Sequence, residues 1–142
     1  MGIEKVSWEI INGTKSLFNL YPLMAESFER LVKANEIESC KMCGQSYWYY
    51  GWEVVIDEQD SFYVYLIYNP FNILTCFHDD KKDYSPNYKP LREKFPDLNW
   101  QHYWYLGGLD LNKTRFFCLS ADEQVEALTE FIKDSKQEYF RA

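Results

Sequence analysis

The sequence predicts an α+β domain: an antiparallel sheet of about five strands built on a central hairpin (46–57 and 61–68), with helices mainly on one face and a long C-terminal helix. Three observations predict it. Across 46–68, SYWYYGWEVVIDEQDSFYVYLIY, apolar side chains alternate with period two on both sides of an acidic turn. Near both ends of the chain the apolar spacing lengthens to that of a helix. The order of elements is helix, three strands, short helix, two strands, helix, which segregates helices to one side of a sheet. At 142 residues the chain suits a single domain spanning 1–142 with a sizeable core.

Residues 3–11 fit either a strand or a helix that stops at Asn12-Gly13, and the helix is preferred. A firmer helix covers 20–34, with Leu20, Met24, Phe28, Leu31 and Val32 as its stripe and Pro22 in its first turn. Residues 35–45 read as a connector. In the hairpin, Trp48, Tyr50, Trp52, Val54 and Ile56 share one side, and so do Phe62, Val64, Leu66 and Tyr68. Pairing Asp57 with Ser61 sets Ile56 on Phe62, Val54 on Val64, Trp52 on Leu66 and Tyr50 on Tyr68. A slip of one residue would destroy that apolar face.

Asn69-Pro70 breaks the ladder, and 72–77 forms a third strand. Residues 78–88 are a polar loop, and 90–95 suit a short helix ending before Pro96. Strands resume at 100–106 and 116–119, with a bend or bulge at Gly107-Gly108 and a turn at 112–114. Ser120-Ala121-Asp122-Glu123 has the form of a capping box, and Val125, Leu128, Phe131 and Ile132 then recur at helical spacing.

The net charge of −7 argues against binding a nucleic-acid backbone or an anionic membrane surface, and suits a basic partner. No stretch approaches the ~20 apolar residues of a membrane span. The N-terminus lacks the apolar core of a signal peptide, so the expected location is the cytoplasm, with the four cysteines reduced.

Few residues point to chemistry. Cys40-Lys41-Met42-Cys43-Gly44 has the shape of a zinc knuckle, and Cys76 with His78 would complete four ligands. Against zinc, Cys-x-x-Cys occurs once and Cys-x-His is not a standard spacing. Reduced thiols, with Cys76 and Cys118 as small core residues, are the plainer reading. A thioredoxin-like site would need Cys40 and Cys43 to open a helix. His78-Asp79-Asp80 runs straight into Lys81-Lys82, as solvated loops do. His102, among Trp100, Tyr103, Trp104 and Tyr105, reads as partly buried. No restriction-type Glu-x-Lys strand and no glycine-rich phosphate loop occurs.

What remains is an aromatic excess of 19%. The hairpin face opposite the apolar one carries Tyr47, Tyr49, Glu53, Val55, Tyr63, Tyr65 and Ile67. A solvated sheet face normally carries Lys, Thr, Glu and Ser. Tyrosine there suits an interface, since it brings area with few rotors and a polar tip. The alternative is that another segment of the chain lies over it.

The expected function is therefore a non-enzymatic protein-binding module, a small acidic inhibitor or immunity-type protein acting on a basic protein. Its binding surface is Tyr47, Tyr49, Glu53, Tyr63, Tyr65, Asp79 and Asp80. In general habit, though in no motif, the chain is similar to immunity proteins and phage-encoded inhibitors of bacterial defence. The alternatives are a metal- or small-molecule-binding protein, even an enzyme, using Cys40, Cys43, Cys76 and His78, and a structural homodimer.

Overall fold

A computed structural model describes residues 20–46, 49–67, 72–79 and 102–142. Helix α1 (20–33) buries Leu20, Met24, Phe28 and Leu31, which recur every three or four residues. Val32, expected on that stripe, lies one step round the helix from Leu31 and is exposed. The helix ends on Asn35, whose φ of 60° puts it in the left-handed region. The Asn35 and Glu36 amides then donate to the carbonyls of Val32 and Leu31, at 3.1 and 3.0 Å, which closes the helix end.

Five antiparallel strands follow: β1 (Ser39–Ser46), β2 (Tyr49–Val55), β3 (Ser61–Ile67), β4 (Asn72–His78) and β5 (Tyr103–Asp110). Their order in space is their order in the chain. The expected number of strands is correct, but one of the five is a different segment. Strand β1 occupies what reads as a connector. Its sequence, SCKMCGQS, has no apolar alternation, because it is a sheet edge with mostly exposed side chains. Conversely, Phe116–Cys118 is a 3-10 turn rather than a strand. Arg115, at φ 56°, turns the chain there so that Phe116 enters the core while Phe117 stays outside.

The hairpin register also differs from expectation, by two residues: Val54 pairs with Phe62, Trp52 with Val64 and Tyr50 with Leu66. The turn decides this. The Ile56 amide donates to the Asp60 carbonyl at 2.9 Å. The Asp57 carboxylate accepts from the amides of Gln59 and Asp60, each at 2.8 Å. Five residues, 56–60, thus connect β2 to β3. A shift of two leaves every side chain on its face, so the apolar side is as expected.

That side is the core. Tyr50, Trp52, Val54, Phe62, Val64, Leu66 and Ile73 meet α1 and the C-terminal helix α2 (Ala121–Arg141). Helix α2 starts at Ser120 with the expected capping box: the Glu123 amide donates to Ser120 Oγ, and the Ser120 amide donates to Glu123 Oε1. Val125, Leu128 and Ile132 are buried beneath it. The buried hydroxyls of Thr75 and Ser135 share a 2.7 Å hydrogen bond, which registers α2 on β4. Ser27 donates to Leu23 O at 2.7 Å and approaches Val125 O at 3.4 Å, joining the two helices.

Lys136 donates to the Glu36 carbonyl at 2.7 Å, and Tyr139 donates to Asp60 Oδ1 at 2.9 Å. The latter bond ties the far end of α2 to the β2–β3 turn. The expectations for 3–11 and 90–95, and for Tyr47, Trp48, Tyr68, Asp80 and Trp100, fall outside the described residues. No helix among the described residues is long and apolar enough to cross a membrane.

Candidate functional site

Both described helices lie on one side of the sheet, and the candidate site is the other. Alternation, with one irregularity in the β1–β2 pairing and one in the β4–β5 pairing, determines its members. Pairing sets Lys41, Glu53, Tyr63, Cys76 and Tyr105 in one row across the five strands. The next row is Gly44, Gly51, Tyr65, Leu74 and Gly108. Tyr49, Ile67, Asn72 and Asp110 follow below, and Tyr103 stands opposite His78 above. Ile67, Leu74 and Cys76 are buried, and Tyr49, Tyr63, Tyr65, Tyr103 and Tyr105 pack half-buried around them.

Three glycines in the second row make this possible. A Cβ on Gly44 would meet the Tyr49 hydroxyl oxygen at 2.9 Å, and one on Gly51 would meet Tyr65 Cε1 at 2.8 Å. A Cβ on Gly108 would be overrun by the Tyr105 hydroxyl. The tyrosines therefore lie along the sheet in space that side chains would otherwise fill. Tyr63 and Tyr65 stack with centroids 6.2 Å apart and planes inclined by 29°. Tyr49 and Tyr65 are also 6.2 Å apart, tilted at 54°.

Burial dominates the electrostatics of the face. It pushes the phenols of Tyr63, Tyr65, Tyr103 and Tyr105 upward, with Glu53 adding to the effect at Tyr63. The Cys76 thiol is likewise raised by burial, then by Cys43. These groups are neutral at ordinary pH. The charged side chains in the two central rows are Lys41 and Glu53. Their atoms approach to 3.9 Å, and Lys41 is largely exposed.

Of the residues expected to bind, Tyr49, Glu53, Tyr63 and Tyr65 come together here. Tyr103 and Tyr105 join them, although in sequence they belong to a separate cluster of no assigned side. Asp79 sits at the end of β4, its amide donating to the His102 carbonyl at 2.7 Å. Near it the His78 ring lies 5.1 Å from Tyr103 and 6.0 Å from His102. Of the glycine row, Gly51 alone interrupts a strand expected from sequence, where glycine has to be explained by a close approach; Gly44 falls in the expected connector and Gly108 in the expected bend.

The zinc quartet does not assemble. Cys40 pairs with Val54 and joins the helix-side core, whereas Cys43 lies beside Gly51 and Tyr65 on the opposite face. Cys76 and His78 are three strands further on. No group of three or more His, Cys, Asp or Glu among the described residues could hold a metal ion. Burial, then Cys43, pushes the Cys40 thiol up to about 12, so it is a protonated side chain rather than a ready ligand. Cys118, read from sequence as a small core residue, is exposed at the end of the 3-10 turn.

No protein-family model, curated protein or solved structure matches this chain.

Proposed function

We propose that this chain is a non-enzymatic protein-binding module, an acidic inhibitor or immunity-type protein that docks a basic partner through its tyrosine face. One observation carries the reading: five tyrosines crowd the sheet face opposite both described helices. A face that served only to be wet would not be built this way. Tyrosine gives contact area at low entropic cost, and here the rings are half-buried against one another and against Ile67, Leu74 and Cys76, which lowers the cost of ordering them on binding. The net charge of −7 speeds encounter with a cationic partner.

The test is affinity capture from the native host with the wild type and a Tyr63→Ser/Tyr103→Ser variant, followed by mass spectrometry and by binding of the purified partner to both. Neither position leans on a glycine, and circular dichroism with a cooperative melt checks that the variant stays folded. The expected result is one basic protein bound by the wild type and lost by the variant. A partner bound equally by both would remove the face from the reading.

A further inference from the structure

We infer that the chemical group read by the tyrosine face is a guanidinium, an arginine of the basic partner laid over the Tyr63–Tyr65 pair with the Glu53 carboxylate as its counter-charge. This rests on the docking function proposed above and adds the identity of the contact. Tyr63 and Tyr65 are half-buried neighbours on one face of β3, their ring centroids 6.2 Å apart. Tyr65 is held down over Gly51, and Glu53 stands directly across from Tyr63 in the ladder.

An aromatic ring is negative over its face, so it attracts a cation, and the attraction grows as water is excluded. A neutral apolar partner would leave Glu53 covered and without adequate compensation, and an anionic one would be repelled by it. The existing contact to Lys41, at 3.9 Å with the ammonium largely in water, contributes little and is readily exchanged. Between the two protein cations, guanidinium is planar, weakly hydrated and able to stack on rings while it bonds a carboxylate through two N–H groups. Ammonium is a strongly hydrated point charge.

The experiment titrates the purified full chain with two labelled peptides of equal length and charge, one presenting arginine and one lysine in a glycine-serine background, at low and at physiological salt. Fluorescence polarisation gives the affinity, and amide NMR shifts give the location. The expected result is saturable binding of the arginine peptide, tighter than that of the lysine peptide by roughly three- to fivefold, with shifts centred on β2 and β3. Tyr63→Phe keeps the ring and should keep the binding, whereas Tyr63→Leu should lose it. Glu53→Gln should weaken it about fivefold or more while leaving the melt unchanged. Equal affinity for the two peptides, or undiminished binding by Tyr63→Leu, would overturn the inference. If a captured partner depends on Tyr63 and Tyr103 but the arginine peptide neither binds nor competes with it, the docking surface stands and the guanidinium assignment falls.

Discussion

Gly51→Ala tests the packing that holds the tyrosine face together. No described glycine has a positive φ, so alanine fits the Gly51 backbone. On propensity alone, the substitution should stabilise a strand by about 0.5–1 kcal/mol. The structure opposes this. The new Cβ would lie 2.8 Å from Tyr65 Cε1 and 3.0 Å from Cδ1. These are mid-ring atoms, so the ring has to change rotamer to clear them. A tyrosine buries roughly 150–250 Å². Losing roughly a third of that, at about 25 cal/mol per Å², costs roughly 1–2 kcal/mol, and off-rotamer strain adds about 1 kcal/mol.

Net destabilisation by about 1–2 kcal/mol is therefore expected, whereas in a Tyr65→Ala background the same substitution should stabilise by about 0.5–1 kcal/mol. Urea unfolding of the four proteins gives the coupling from the midpoints, provided the slopes agree. Gly44→Ala is the internal comparison. Its nearest atom is the Tyr49 hydroxyl oxygen, at the tip of the side chain rather than mid-ring, so its cost should be smaller. If Gly51→Ala has the same effect with and without Tyr65, the ring does not rest on Gly51, and the account of the face is wrong.

Three further outcomes follow from particular groups. Buried phenols and thiols should make the protein sensitive to alkali: burial, then the bond to Asp60, takes Tyr139 to about 12 from an ordinary 10, and burial takes Cys40 to about 12 from 9. Raised folded-state values mean that the native chain holds these protons more tightly than the unfolded one. Their contribution is then complete below about pH 9 and is lost as pH rises to about 12, so a urea midpoint unchanged across that window would contradict the burial described. Tyr139→Phe keeps its ring beside Phe77 but loses the bond to Asp60, and should cost about 1 kcal/mol. In an Asp60→Ala background it should cost almost nothing, and an equal loss in both would assign the effect to packing. Thr75→Val strands the buried Ser135 hydroxyl and should cost about 1–3 kcal/mol, most of it recovered on adding Ser135→Ala; no recovery would show that the pair does not register α2 on β4.

Much of this molecule follows from local sequence. Period two divides the hairpin into an apolar and a tyrosine side, and helical spacing with Ser120 and Glu123 fixes the start of α2. These properties depend on neighbours in the chain, so tertiary context adds little to them. Tertiary structure decided four things. It made 39–46 an edge strand, because pairing with β2 supplies the hydrogen bonds that its side chains do not advertise. It set the hairpin register, because the carboxylate of Asp57 organises a longer turn than the apolar pattern requires. It separated Cys40 from Cys43 across the sheet, since pairing with β2 turns Cys40 with Val54 to the helix side and leaves Cys43 beside Gly51 and Tyr65. And it brought Tyr103 and Tyr105 beside Tyr63 and Tyr65, because only the lateral order of the strands says which rows coincide.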